Sequence, residues 1–319
     1  MIKAKRWRRR LTDPVVYVAA STLMHAAGAL SPAAQYRLAS LAATLLWRSG
    51  PNRRRVVLEN LGLAFAEMPL AERVALGRRA LRNTLLNAFD SARLVHSPEA
   101  MLRDVQLDEA CRQVRAGAIG RPLLMVTPHL GSWELYGNAV SLSGVRVSVV
   151  AREIRNPYLG RLIQRCRTAH GLEIIGSEGA VRGILGAVRA GRHIGILMDQ
   201  NTRPHEGGVY VDFFGLPVTV TRAPAVLMRR LGMGLYVGAC VRRPEGGFQV
   251  VTQCLQADPC SQADDQTLLQ AIMNANEALI RRFPDQYLWT YRRWRYIPPD
   301  LPLAQQARYP FYARPEQAP

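Results

Sequence analysis

The chain has 319 residues, 48% of them hydrophobic and 21% charged, which excludes a short peptide module and a wholly disordered protein. Its five cysteines include no C-x-x-C pair and therefore favour neither a disulfide framework nor a zinc ribbon. The formal net charge of +18 comes almost entirely from arginine, because Lys3 and Lys5 are the only lysines. Unless a biased genomic composition explains the arginines, this charge favours nucleic acid, an anionic membrane surface, a phosphorylated lipid or an acidic protein as partner.

The amino-terminal segment, residues 1–50, combines six basic residues among the first ten with two apolar runs. The first run extends from Pro14 to Tyr36 and the second from Leu38 to Trp47. A membrane-spanning helix needs about 20 mainly apolar residues, and small and polar residues dilute the first run. Because basic residues flank both ends of the region, the positive-inside rule selects no orientation for a single span. We predict a membrane anchor here, with a span, a shallow hairpin and an interfacial segment left open.

The rest of the chain is predicted to form one domain over residues 51–298, followed by a proline-rich, irregular tail at 299–319. Residues 53–95 show helical periodicity with a break near Met68-Pro69, within a helical lead-in at 51–120. Beyond residue 121, short apolar runs alternate with segments of helical length, which predicts an α/β fold with a mixed sheet layered with helices. The predicted strands are 123–127, 145–151, 174–175, 194–198 and a hairpin of 235–241 with 248–255, and the predicted helices are 133–142, 157–170 and 179–190.

A candidate acid–base pair lies at the end of the first of these strands. His129 and Glu134 are five positions apart in the segment from Thr127 to Glu134. On one continuous helix they would lie about 140° apart, given 3.6 residues per turn. If His129 lies in a loop and Ser132 caps the following helix, Glu134 can fold back to the imidazole. The carboxylate would then fix the tautomer and leave the other ring nitrogen free to take a proton from a hydroxyl. On spacing alone, an ordinary histidine at a strand end is the alternative.

Several further motifs, in order along nearly the whole chain, resemble the bacterial lipid A late acyltransferases of the lysophospholipid acyltransferase superfamily. Leu130 and Ser132 depart from the residues that are common in that family, as does the segment from Thr221 to Pro224, which leaves the chemistry of His129 and Glu134 untouched. The motifs that carry the resemblance are Asn52 to Val57 with Glu59-Asn60-Leu61 and Ala64-Phe65, His129 to Glu134, Arg152 with Asn156-Pro157, Arg167 before Gly171, Leu197 to Gln200, Phe213-Phe214-Gly215 with Pro217 and Thr219, and Gln286 to Trp289 with Arg292-Arg293-Trp294.

The resemblance implies a glycerolphosphate-acyltransferase-like fold and transfer of a fatty acyl group from acyl carrier protein to a hydroxyl of a phosphorylated glycolipid acceptor. His129 would be the general base, and Glu134 would orient its imidazole. Backbone amides at the helix start near Gly131 would stabilise the oxyanion, with Gly131 as the candidate residue. Arg167 and Arg152 would bind acceptor phosphate or support the site.

Asp199 has two open interpretations, which are a partner for a site arginine and a simple strand terminus. No metal and no nucleotide cofactor is indicated by the motifs.

The aromatic residues and the last arginine cluster have a structural and a functional interpretation. Phe213, Phe214, Trp289 and Trp294 are predicted mainly as core packing, with an acyl groove as the alternative. Arg292, Arg293 and Arg295 form a cluster that is usually a solvated face. In this chain it would meet the acidic carrier protein or lipid headgroups.

Two alternatives to lipid A acyl transfer remain. One is an acyltransferase that acts on another glycolipid, an aminolipid or a lysophospholipid. The other is a non-catalytic basic protein that binds membranes or nucleic acid, although the chain carries no recognised nucleic-acid-binding motif. The resemblance favours no nucleic-acid partner and places the protein at the inner membrane, with the catalytic domain on the cytoplasmic face.

Overall fold

The structure is a computed structural model that describes residues 2–151, 154, 156–168, 170–176, 179–256 and 264–315. For residues 2–13, 15, 159, 165 and 166, the description covers the backbone only.

Four helices form the amino-terminal third of the described chain: α1 (Ile2–Ala29), α2 (Pro32–Ser49), α3 (Pro51–Ala64) and α4 (Leu70–His96). Prolines open α2 and α3, because the missing amide hydrogen of proline costs nothing at a helix start. The predicted break near Met68-Pro69 is confirmed, since α3 ends at Ala64 and α4 begins after Pro69. Among the described residues, no helix combines the length and the apolar character that crossing a bilayer requires.

The predicted alternation of strands and helices is confirmed, with most boundaries within two residues. The elements from residue 98 to residue 197 are α5 (Pro98–Arg103), β1 (Val105–Gln106), α6 (Glu109–Arg115), β2 (Leu123–Thr127), α7 (Trp133–Leu142), β3 (Val147–Ala151), α8 (Pro157–Thr168), β4 (Glu173–Gly176), α9 (Ala180–Arg189) and β5 (His193–Leu197). The remaining elements are β6 (Gly208–Phe213), β7 (Leu216–Thr221), α10 (Ala223–Leu231), β8 (Gly234–Arg242), β9 (Phe248–Gln256), α11 (Asp265–Arg282), β10 (Tyr296–Ile297), α12 (Leu303–Gln306) and β11 (Arg314–Pro315).

The tail after residue 298 differs from the predicted irregular segment. It contains α12 and a short strand, β11, that pairs with β10. Two tyrosines fasten the tail to the domain, because the Tyr309 hydroxyl donates to the Pro217 carbonyl and the Tyr312 hydroxyl bonds to the buried Asn60 side chain. These long-range contacts order a segment whose local sequence specifies no regular structure.

The central sheet has seven strands in the order β1-β9-β8-β2-β5-β3-β4. All neighbouring strands run parallel except β8 and β9, which form the predicted antiparallel hairpin. In β2, Leu124 and Val126 belong to one hydrophobic core, and Leu123 and Met125 belong to a second one. The alternation shows that helices cover both faces of the sheet. The mixed α/β architecture predicted from the sequence is therefore confirmed.

The register of β2 and β5 determines which residues meet beyond the sheet. Thr127, the last residue of β2, pairs with Leu197, the last residue of the parallel strand β5. The chain therefore leaves both strands at the same edge, which is the edge where open α/β sheets commonly bind ligands.

Candidate active site

His129 and Asp199 each lie two residues beyond these paired strand ends and contact each other directly. The Nδ1 atom of His129 is 2.5 Å from Oδ1 of Asp199. The backbone N–H of His129 also donates to Oδ2 of Asp199, at 2.8 Å. The Asp199 side chain is 3% exposed and that of His129 is 14% exposed. Both oxygens of one buried carboxylate therefore hold the backbone and the ring of the histidine.

This contact determines the tautomer of neutral His129. Ionised Asp199 only accepts hydrogen bonds, so Nδ1 carries the hydrogen and Nε2 keeps its lone pair. The amide nitrogen of Gln200 lies 3.2 Å from that Nε2 atom, where it can donate to the lone pair. Gln200 is exposed, so the basic nitrogen of the imidazole lies on the open side of the pair.

Charge around the imidazole favours its protonated form. Burial alone would lower the pKa of His129, but the charge and hydrogen bond of Asp199, with a smaller contribution from the charge of Glu134, raise that pKa above its ordinary value. For Asp199, burial acts to raise the pKa, yet the charge and hydrogen bonds of His129 outweigh burial and lower it. The carboxylate is thus ionised at neutral pH and stabilises a proton on the ring.

The predicted hydrogen bond between Glu134 and His129 is not present among the described contacts. Glu134 is the second residue of α7, and its carboxylate faces Arg167 on α8. The Nε atom of Arg167 donates to Oε2 of Glu134 at 2.9 Å, and Nη2 donates to Oε1. This two-point pairing is the geometry that guanidinium and carboxylate groups favour. The role predicted for Glu134 as the direct orienter of the imidazole is corrected, because Asp199 occupies that position.

The assignment of Gly131 as an oxyanion-binding amide is also corrected. Its N–H already donates to the Gln286 carbonyl at 3.1 Å, and the N–H of Ser132 donates to the Cys240 carbonyl at 2.8 Å. Gly131 has φ +61°, and a Cβ atom built there would lie 2.0 Å from the Cys240 oxygen. Glycine is required here because the loop after β2 runs against β8.

The segment from Gln286 to Trp294 contacts the loop that carries His129 from the other side. The N–H of Leu288 donates to the His129 carbonyl at 3.2 Å, and Leu130 forms a bridge with Tyr287. Burial, together with the neighbouring charge of Asp199, raises the pKa of the Tyr287 phenol well above its ordinary value. The phenol of Tyr287 is therefore neutral beside the carboxylate of Asp199.

Arg293 lies in the interior, which corrects its assignment to a solvated face. Its side chain donates to the Asn201 side chain at 2.5 Å and to the Thr219 carbonyl at 2.9 Å. Its positive charge helps to keep the pKa of Asp199 low, although burial acts against this. Arg292 and Arg295 are exposed, as predicted. The predicted core packing is confirmed for the aromatic residues Phe213, Phe214, Trp289 and Trp294.

Two cavities have residues of the site in their walls. One of about 610 Å³ is polar and is lined by Gln200, Asn201, Arg203 and Arg295. The other, of about 560 Å³, has Arg167 in its wall. Arg152, which was predicted to support the site, lies outside the described residues.

The family model for "Bacterial lipid A biosynthesis acyltransferase" matches residues 2–296. The chain belongs to this family. Among its relatives is the lipid A biosynthesis palmitoleoyltransferase of Escherichia coli K12, 25% identical over 253 residues, with 77% of this chain and 80% of the relative covered. The lipid A biosynthesis lauroyltransferase of the same organism is 24% identical over 278 residues, with 84% and 87% covered. The lipid A biosynthesis acyltransferase of Shigella flexneri matches at 25% over 253 residues, with 77% and 80% covered.

Membership in this family confirms the resemblance, and the chain is an O-acyltransferase of lipid A biosynthesis. From the sequence alone, Asp199 had two open interpretations. Its position was visible in the pattern, since His129 lies two residues and Asp199 one residue beyond the end of a predicted buried strand. What was missing was the knowledge that these two strands are neighbours in the sheet.

Proposed function

We propose that this acyltransferase moves a fatty acyl chain from acyl carrier protein to a hydroxyl of a lipid A precursor, with His129 as general base. The observation that carries the proposal is the contact between Nδ1 of His129 and Asp199, which leaves Nε2 on the open side of the site. Family membership supplies the reaction class.

The proposed reaction is a single acyl transfer. Nε2 of His129 takes the proton of the acceptor hydroxyl as the oxygen attacks the thioester carbonyl. The tetrahedral intermediate collapses with cleavage of the carbon–sulfur bond, and the imidazolium returns the proton to the thiolate. Asp199 stabilises the imidazolium during this exchange, as a buried carboxylate does in a catalytic triad.

For the oxyanion we keep the helix start that the sequence indicated, and we assign the first amides of α7 in place of the amide of Gly131. The first amides of a helix have no acceptor within the helix, and Ser132 provides no side-chain cap. Their partial positive charge lies next to His129, whose ring packs edge-on against Trp133 with centroids 5.0 Å apart.

We assign binding of the acceptor to Arg167 and to the polar cavity. Glu134 holds the guanidinium of Arg167 in a fixed direction, and this restraint suits recognition of phosphate. The cavity beside Gln200 offers amide, phenol and guanidinium groups to a phosphorylated sugar, because Asn201, Tyr291 and Arg295 line it. Gln200 lines this cavity and contacts Nε2 of His129, so we place the acceptor hydroxyl at this end of the cavity.

We also propose that α2 contacts the cytoplasmic face of the inner membrane. Leu38, Leu41 and Leu45 are exposed and lie on one stripe of the helix, opposite the residues that it buries. Arg37 and Arg48 are exposed on the same helix, near its two ends. An apolar stripe flanked by arginine is the pattern of helices that lie in the interface of anionic membranes.

The reaction is tested by mass spectrometry of lipid A from a host without its own late acyltransferases. Expression of the intact protein is expected to add the mass of one fatty acyl chain. The His129→Ala variant is expected to add none, whereas His96→Ala, at an exposed histidine at the end of α4, is the matched control that keeps the gain. An unchanged lipid A profile from a well-expressed protein would contradict this acceptor. The total lipid extract would then show whether another glycolipid, an aminolipid or a lysophospholipid had been acylated.

A further inference from the structure

A second, strongly basic cavity lies between α2, α4 and the turn from β8 to β9. Its volume is about 560 Å³. Arg82 and Arg93 reach it from α4, and Arg242 and Arg243 reach it from the end of β8. Four guanidinium groups from two separate elements thus converge on one space.

Carboxylates balance only part of this charge. Asp90 and Asp285 are the acidic residues in the wall of the cavity, and Glu245 outside the wall forms an ion pair with Arg243. The four guanidinium groups therefore exceed these three carboxylates by one positive charge. Asp90 is buried and forms its ion pair with Arg242, and Asp285 bonds to the side chain of Asn83. Among the described contacts, the side chain of Arg93 makes neither a hydrogen bond nor an ion pair.

Two nitrogen atoms of the arginines are buried donors without an acceptor among the described residues. They are Nε of Arg82 and Nη1 of Arg242. Buried donors are nearly always paired in folded proteins, so an unpaired set of this kind points to a ligand. The oxygen atoms of a phosphate group match guanidinium donors in charge and geometry.

We propose that this cavity binds a phosphate group carried by a lipid. The position of α2 favours a lipid source. Tyr36 of α2 lines the cavity and packs against the guanidinium of Arg82, which lies 4.6 Å from the ring centroid. The same helix carries the exposed leucines at 38, 41 and 45. A phosphate on the arginines would therefore place its acyl chains beside an apolar surface. The lipid is either a bilayer phospholipid or the phosphorylated acceptor.

One residue connects this cavity to the catalytic loop. The side chain of Gln286 accepts from the Arg242 N–H at 2.9 Å and donates to the Arg242 carbonyl at 3.0 Å. The backbone carbonyl of Gln286 accepts from the N–H of Gly131, two residues after His129. A ligand bound to Arg242 is thus connected through a single residue, Gln286, to the loop that carries His129.

The binding site is tested first with inorganic pyrophosphate and isothermal titration calorimetry on the full chain. The double variant Arg82→Gln/Arg93→Gln is expected to bind pyrophosphate at least about tenfold more weakly, since each charge-assisted hydrogen bond contributes about a factor of ten to the affinity. The matched control, Arg78→Gln/Arg79→Gln, removes the same charge from exposed positions on α4 and is expected to bind as the unmodified protein does. Equal affinity in the two double variants overturns the proposal. Arg242 is left intact, because its replacement would leave the buried carboxylate of Asp90 without its ion-pair partner.

Folding is separated from binding by a third variant. The stacking of Arg82 on Tyr36 supports the fold, so the double variant can lose stability as well as affinity. Arg93→Gln alone removes one unpaired guanidinium and is expected to weaken pyrophosphate binding without a change in melting temperature. Full affinity in a folded Arg93→Gln protein contradicts the proposed site.

Two further measurements identify the lipid. If the phosphate belongs to the acceptor, the Arg82→Gln/Arg93→Gln variant shows a raised KM for the acceptor but not for an acceptor treated with phosphatase. If it belongs to a phospholipid, the variant floats less with vesicles of phosphatidylglycerol and phosphatidylcholine, and its KM is unchanged. If both quantities equal those of the Arg78→Gln/Arg79→Gln control, the cavity binds small anions only and the lipid assignment is wrong. The acceptor measurement depends on the proposed function, whereas the pyrophosphate and vesicle measurements do not, so failure of one is distinguishable from failure of the other.

Discussion

His129 owes its proposed chemistry to an aspartate 70 residues away. Asp199 contacts both the backbone N–H and the ring nitrogen of the histidine, and it is almost completely buried. A buried carboxylate interacts more strongly with a proton on the ring than an exposed one, because little water screens the charge. The negative charge of Glu134 also acts on the imidazole, but its carboxylate is bound by Arg167 and does not hydrogen-bond to the ring.

The first prediction concerns the Asp199→Asn variant. We expect its kcat to fall about 10²- to 10⁴-fold, because the amide neither fixes the reactive tautomer nor stabilises the imidazolium. The base is active when neutral, so the rate rises with pH through the pKa of His129. In the unmodified protein the midpoint lies above the ordinary histidine value, since Asp199 outweighs burial. Without that charge, burial dominates and the midpoint moves to lower pH.

The pH dependence of kcat/KM, measured for both proteins, checks this prediction. Asp300→Asn, at an exposed aspartate in the loop before α12, is the matched control and is expected to change neither rate nor midpoint. An unshifted midpoint in Asp199→Asn would show that a different group limits the rate at low pH.

At the scale of elements, the loop from β2 to α7 is held in place by β8 and the segment that begins at Gln286. Backbone hydrogen bonds from Gly131 and Ser132 reach both of these partners. The precision of the site therefore depends on close backbone packing as much as on the side chains of His129 and Asp199.

The second prediction concerns Gly131→Ala. The added Cβ would overlap the Cys240 carbonyl, and alanine also disfavours the positive φ at this position. We expect a loss of more than about 2 kcal/mol in the free energy of unfolding, together with lower activity, because the loop must move. Urea unfolding and an acyl-transfer assay measure the two effects.

Gly186→Ala is the control for this substitution. Gly186 lies inside α9, and a Cβ atom there would meet no atom within 4 Å. Alanine is the better helix former, so we expect a gain of about 0.5–1 kcal/mol at unchanged activity. If Gly131→Ala is as stable and active as the unmodified protein, the close approach to β8 is not important.

At the scale of the whole molecule, the helices α1 and α2 lie outside the sheet and pack mainly on α4. The described part of α2 buries Gln35, Ala39, Ala43 and Trp47 on one side, and its opposite side carries the leucine stripe. This leucine stripe is the surface that we propose contacts a bilayer.

The third prediction tests this face with the triple variant Leu38→Ser/Leu41→Ser/Leu45→Ser. We expect its partition into vesicles that contain phosphatidylglycerol to fall by at least about 10²-fold. The reason is that binding no longer transfers three leucine side chains from water into the bilayer. Its melting temperature in buffer is expected to be unchanged. Cosedimentation with vesicles measures the partition.

The control replaces three exposed leucines on other elements, Leu70, Leu142 and Leu303, with serine. It is expected to retain vesicle binding. Equal losses in the two triple variants would mean that general surface hydrophobicity, and not the stripe on α2, drives association.

The sequence by itself determined the layered α/β architecture, because strands buried on both faces and amphipathic helices leave distinct apolar periodicities. It also located the histidine motif at the end of β2, and the ordered motifs indicated the family. The pairing of His129 with Asp199, the diversion of Glu134 to Arg167 and the burial of Arg293 were decided by tertiary structure alone. Local periodicity carries no information on which strands are neighbours, and a side chain beyond a strand end takes its partners from the adjacent strand and from distant loops. The same reason explains why the cluster from Arg292 to Arg295 was predicted as exposed, although the fold buries Arg293 near the carboxylate of Asp199.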